Sequence, residues 1–230
     1  MSSDKKRWEE EQARLRAADS GLSVKEGTIT IGGNQVYFRE GVSSAVTQPK
    51  GALLFLHGQA FKSQTWHDLG TLHFMANAGY RPLAIDLPGR IQIPGYGNTK
   101  RFNYQSSESF LLQVKAALNL KGIPVIIISP SMSGGFAIPF LFSNPEEFKG
   151  YLPVAPVSTG SHTHDEYAKV KVPTCIVYGE KDTSLGVSSF QDLSKIPNNE
   201  VHVLKGAGHA AYMNSPAEFH QILLNFANKL

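Results

Sequence analysis

Apolar and polar positions along the chain fall into short blocks that switch between two periods. Residues 27–31 (GTITI) and 35–40 (QVYFRE) alternate with period two around Gly32-Gly33-Asn34, the pattern of a β-hairpin with a tight turn. Residues 52–56 (ALLFL) are apolar without alternation, as expected of a strand buried on both faces. Helical spacing over 66–78 predicts a helix stopped by Gly79, and 81–86 (RPLAID) reads as the next strand. A turn-rich loop, 87–105, carries Pro88, Gly89, Pro94, Gly95 and Gly97. Helices are then predicted over 107–120, 131–143, 188–195 and 216–230, alternating with strands at 123–129, 151–155, 172–179 and 201–206. Buried strands alternating with helices predict a mostly parallel sheet covered on both sides, with the antiparallel N-terminal hairpin as one edge. Residues 1–24 break the pattern. Charges such as Lys5, Lys6, Arg7, Glu9, Glu10, Glu11, Arg14 and Arg16 mix at helical spacings, with only Trp8 and Leu15 to pack. They read as a solvated N-terminal extension ahead of one domain at 25–230.

Composition narrows the class. A chain of 230 residues with 41% apolar content can bury a sizeable core unaided. Its formal charge of +3 is small and scattered, which argues against nucleic acid as a partner. The single cysteine, Cys175, cannot form an intrachain disulfide and reads as a buried, inert thiol of a protein in a reducing compartment. The apolar runs 52–56 and 123–128 fall far short of a membrane span, and the N-terminus has no apolar signal core. A cytoplasmic location is expected, with the nucleus also open to it.

In a doubly wound sheet, ligands bind beyond the carboxyl ends of the strands, so chemistry is sought there. The strand at 123–129 runs into Ser129-Pro130-Ser131-Met132-Ser133-Gly134-Gly135, a strand-to-helix corner with small residues two before and two after Ser131. It resembles a G-x-S-x-G nucleophile elbow, with serines in both flanking glycine positions. Alone, the corner reads equally well as a serine N-cap. The strand ending at Gly179 is followed by Glu180-Lys181-Asp182, and the last strand by Gly206-Ala207-Gly208-His209. Nucleophile, acid and base therefore follow three strand ends in the order Ser131, Asp182, His209. A serine hydroxyl needs a base to take its proton, and the base needs a carboxylate to hold its tautomer. His57-Gly58-Gln59 follows the first buried strand, so the backbone N–H groups of Gln59 and Met132 are the expected oxyanion donors, with His57 a structural part of its turn. Asp86 is a weaker choice of acid, read as bracing its turn. His162 and His164 form a His-x-His pair with no third ligand motif nearby, and no metal is expected. No G-x-G-x-x-G follows a strand, so no dinucleotide cofactor is expected either.

The segments LLFLHGQAFKSQTWHDLGTLHFMANAGYRPLAIDLPG, ISPSMSG, VPVAP, CIVYGEKD and LKGAGHAAYMNSPAEF resemble the abhydrolase-domain-containing 14 subfamily of α/β-hydrolases over about 26–230. The S-P-S-[ML]-S-G corner is the most specific part. The resemblance implies an α/β-hydrolase fold and a small serine hydrolase, cytosolic or membrane-associated, acting on short-chain acyl esters or amides through an acyl-enzyme at Ser131. It also implies a possible acyl transfer between a protein lysine and coenzyme A, with no other cofactor. The departures are the charged leader and the loop 90–101, longer than the family's link, where Arg90, Lys100 and Arg101 could attract an anionic acceptor. The link 156–171 is too short for a cap domain, so an open cleft and short acyl groups are expected. A reading from another class stands beside this one: a protein-binding module in which the triad is vestigial.

Overall fold

In a computed structural model, which describes residues 21–89 and 95–230, the predicted strands join one eight-stranded sheet. Residues 1–20 of the expected solvated extension, and Arg90 with the start of its loop, lie outside the described residues, whereas residues 22–24, also assigned to that extension, belong to β1 because they pair with β2. The chain runs β1 (Leu22–Ile31), β2 (Asn34–Ser43), β3 (Ala52–Phe55), α1 (Ser63–Asp68), α2 (Thr71–Asn77), β4 (Arg81–Ile85) and α3 (Ser107–Ala117). It continues through β5 (Val125–Pro130), α4 (Gly134–Ser143), β6 (Phe148–Val154), α5 (His164–Tyr167), β7 (Thr174–Gly179), α6 (Leu185–Leu193), β8 (Asn199–Leu204), α7 (Ala211–Asn214) and α8 (Pro216–Lys229). Sheet order is β1-β2-β4-β3-β5-β6-β7-β8. The β1/β2 and β2/β4 pairs are antiparallel and all others parallel, so the hairpin forms the expected edge.

Gly32 and Gly33 close the hairpin with φ of +55° and +81°, a backbone that suits glycine and matches the strand twist. Both hairpin strands are longer than the alternation at 27–40 predicts. Leu22 pairs with Ser43, and the ladder between them carries the weakly patterned residues at both ends. Buried on both faces, β3 and β5 send alternate side chains to opposite sides of the sheet. Leu54, Leu56, Val125 and Ile127 join one core cluster, whereas Leu53, Phe55, Ile126 and Ile128 join the other. Each such side chain contributes about 1.5–3 kcal/mol on burial, which fixes the register of the central strands.

The helix expected at 66–78 is two helices. Gly70, at φ +72°, ends α1 in a left-handed turn and starts α2 in a new direction. The elbow helix is also divided: Ser131–Ser133 form a 3₁₀ turn before α4 begins at Gly134. Between β6 and β7 lie only a 3₁₀ turn, Thr159–Ser161, and the single-turn α5, so no cap domain covers the sheet there. No helix among the described residues is long and apolar enough to cross a membrane.

Candidate active site

Ser131 sits where β5 turns into the 3₁₀ segment, at φ +50°. A non-glycine residue held in this region is strained, and the surroundings compensate. The Ser131 carbonyl accepts a hydrogen bond from the Val157 N–H at 2.9 Å, which ties the elbow to the strap that follows β6. Gly134 makes that approach possible, because a Cβ there would lie 2.3 Å from the Val157 carbonyl oxygen. The flanking serines are fully buried, and Ser133 Oγ donates to the Pro130 carbonyl at 2.8 Å. A short hydroxyl side chain thus fits the glycine positions once its own proton has a partner.

Asp182 follows β7. Its N–H donates to the Gly179 carbonyl at 2.9 Å, and a Cβ on Gly186 would come within 2.9 Å of the Asp182 Cβ. His209 follows β8 on a loop held by the Gly208 N–H, which donates to Asn214 Oδ1 at 2.9 Å. These turns bring the three side chains into one line. His209 Nδ1 lies 2.6 Å from Asp182 Oδ2, and His209 Nε2 lies 2.8 Å from Ser131 Oγ. With the proton on Nδ1 donated to the carboxylate, Nε2 is left to accept the serine proton. The Asp182 side chain is 6% exposed and that of His209 45%, so Asp182 is shielded while His209 faces the cleft.

The cleft has a volume of about 540 Å³ and is lined by Gly58, Gln59, Ala60, Phe61, Ser131, His209, Ala210 and Tyr212. Gln59, one expected oxyanion donor, is therefore at the site. Met132 is not among the lining residues, and its thioether accepts a hydrogen bond from Tyr96 Oη at 2.9 Å. Its backbone N–H lies in the first turn of the 3₁₀ segment, where amide protons have no helical acceptor.

Other sequence candidates take structural positions. His57 is fully buried, its Nδ1 is 2.9 Å from the Gly58 carbonyl, and its Nε2 accepts from the Leu87 N–H at 2.9 Å. Burial pushes its pKa down to about 4, so the ring is neutral. Asp86 braces two loops, accepting from the Ser63 N–H at 2.7 Å and the Asn98 N–H at 2.8 Å. His162 stacks on Phe142 with ring centroids 3.6 Å apart, whereas His164 Nε2 lies 3.1 Å from Asp192 Oδ1. The His-x-His pair thus serves two different neighbours.

Sequence reasoning did not find Phe61 and Tyr212 as walls of the cleft, nor Tyr96 beside Met132. The two wall rings meet edge to face at 5.9 Å, and Tyr212 stacks on Trp66 at 4.7 Å. Tyr212 and Asn214 follow His209 within five residues, a proximity that could have flagged them. Nothing local marks Tyr96.

No protein-family model matches the chain. It is 42% identical over 211 residues to the rat protein named "Putative protein-lysine deacylase ABHD14B", covering 92% of this chain and 99% of that one. The human protein of the same name matches at the same identity and coverage. Zebrafish "Protein ABHD14A" is 42% identical over 215 residues, covering 91% of this chain and 77% of that one. Among solved structures, a "predicted CIB-like hydrolase" from Thermoplasma acidophilum superposes with a TM-score of 0.80 at 23% identity, covering 91% of this chain and all of that one. Naproxen esterase from Bacillus subtilis does so at 0.71 and 17% identity, covering 98% of this chain and 99% of that one.

Proposed function

Because the chain belongs to the abhydrolase-domain-containing 14 subfamily of α/β-hydrolases, we propose that it is a serine hydrolase that removes short acyl groups from esters and from acylated lysine side chains. One observation carries this reading: the unbroken line from Asp182 through His209 to the hydroxyl of Ser131, at 2.6 and 2.8 Å. His209 Nε2 takes the Ser131 proton as Oγ attacks the acyl carbonyl carbon. The Gln59 and Met132 N–H groups receive the developing oxyanion. The carbon–oxygen or carbon–nitrogen bond of the substrate then breaks, and the imidazolium returns its proton to the departing alcohol or amine. Asp182 holds the ring and stabilises its charge throughout. Water, deprotonated by the same base, attacks the acyl-enzyme and releases the acid. A thiol acceptor such as that of coenzyme A would complete an acyl transfer by the same steps.

Lysine deacylation suits an open site. The cleft lacks a cap on the β6–β7 side, so a side chain presented on a protein surface can reach Ser131. The names of the mammalian relatives point to the same substrate class. The test is hydrolysis of short nitrophenyl esters and of an acetyl-lysine peptide, with and without coenzyme A, by the wild type and three serine variants. Ser131→Ala should lose at least about 10³-fold in kcat/KM on both substrates with the fold intact. A mild Ser131→Ala with a crippling Ser129→Ala or Ser133→Ala would mean that the nucleophile is misassigned.

A further inference from the structure

Cys175 on β7 is paired in register with Glu200 on β8, and His202 lies two residues further along β8 on the same face as Glu200. The thiol, one carboxylate oxygen and one ring nitrogen come within 4.8 Å of one another. We propose that Cys175, Glu200 and His202 form a binding site for one divalent transition-metal ion of borderline softness, zinc foremost, that clamps the edge strand β8 to the sheet.

Geometry supports three ligands rather than three neighbours. His202 Nε2 and Glu200 Oε1 face each other as an ion pair at 3.5 Å, longer than a good hydrogen bond, and both atoms are buried. Tetrahedral zinc with bonds of about 2.0–2.2 Å to nitrogen and oxygen separates two such donors by about 3.4 Å. The pair is therefore already at a ligand–ligand distance, and only the thiol has to close in. Glu200 Oε2 is taken by Lys229 of α8, which orients the carboxylate so that Oε1 faces His202. Two adjacent strands supply all three ligands, so the backbone spacing is set by the sheet.

Burial, followed by the charge of Glu200, pushes the Cys175 thiol up, and a buried thiol beside a carboxylate has no favourable ionised state by itself. A dication between the donors reverses this: the S–H bond breaks, the proton leaves to solvent, and a sulfur–metal bond forms. The His202 and Glu200 side chains are about one-third exposed, which gives the ion a way in, and tetrahedral zinc would take a water as its fourth ligand. The site is separate from the hydrolytic one, since Cys175 lies four residues, about 13 Å, before the end of β7 that leads to Asp182. A thiolate, an imidazole and a carboxylate select zinc, cobalt or a similar ion over magnesium or calcium, which take oxygen ligands.

Cobalt(II) titration of the untagged, metal-stripped protein tests the proposal. The wild type should bind one equivalent with a thiolate-to-cobalt charge-transfer band, and zinc should displace it. Cys175→Ser should abolish the band, and His202→Ala should weaken binding at least tenfold. His202 is partly exposed, so its variant keeps the test decisive if the buried Cys175→Ser fails to fold. Absence of one-to-one binding, binding without a thiolate band, or His202→Ala binding as tightly as the wild type would each overturn the site.

Discussion

Gly179 and Gly208 pass so close that a Cβ on Gly179 would lie 2.2 Å from the Gly208 carbonyl oxygen. Gly179 ends the strand that leads to Asp182, and Gly208 precedes His209. The contact holds the loops of Asp182 and His209 together. Gly179→Ala must push the two loops apart, at a cost of about 1–3 kcal/mol as overpacking. Thermal unfolding should show the loss, and kcat/KM should fall further than stability alone explains. An alanine variant with full activity and an unchanged unfolding midpoint would show that the loops do not depend on this contact.

The hydrogen-bond line predicts how the other two members behave. His209→Ala should be as damaging as Ser131→Ala, because the pair acts as one unit, and the double variant should be no worse than either alone. Asp182→Asn should lose about 10⁴-fold in kcat by favouring the wrong tautomer while leaving KM nearly unchanged. Additive losses in the double variant would separate the two residues.

Acid sensitivity of the fold should come from two buried histidines outside the triad. Burial pushes His57 from 6.5 down to about 4 and His220 from 6.5 down to about 3. Between those values and 6.5 the unfolded chain binds protons that the folded chain refuses. Stability is therefore complete above about pH 6.5, falls as the pH drops through that window, and levels off for these groups below about 3. Each shift corresponds to about 3 kcal/mol or more. Urea unfolding midpoints measured from pH 7.5 to 4.5 should fall steadily, and less steeply in His220→Phe. A flat profile would mean that both rings charge within the fold.

Substrate length follows from the walls of the cleft. Phe61 and Tyr212 line it, and among the described residues no cap extends it into a tunnel. Each additional buried methylene is worth about 0.8 kcal/mol only while apolar surface remains to receive it. For nitrophenyl esters, kcat/KM should peak at about two to four acyl carbons. Phe61→Ala should move the peak to longer chains. A wild-type series that climbs steadily to long chains would reveal a deep acyl channel.

What could be read from the sequence was whatever is local. The mostly parallel sheet followed from the all-apolar runs at 52–56 and 123–128, and the positions of Ser131, Asp182 and His209 from three strand ends. The break at Gly70 was also local, but the helical spacing on either side masked it until its φ of +72° showed a new start. Partnerships set by packing were not legible. Tyr96 reaches Met132 across 36 residues, and the strap at Val157 meets Gly134 only because β6 lies beside β5. The register that sets Cys175 against Glu200 depends on how β7 and β8 slide, which a sequence with a lone cysteine does not announce.

Activation of Ser131 by His209 is tested most directly by mass spectrometry of the protein after brief exposure to a fluorophosphonate probe, which reacts with activated serines. The wild type should carry a single adduct, located on Ser131 in the peptide digest. Ser131→Ala should carry none, and His209→Ala should label at least about 10³-fold more slowly with its fold retained. An adduct on another residue, or equal labelling rates in the wild type and His209→Ala, would contradict the account.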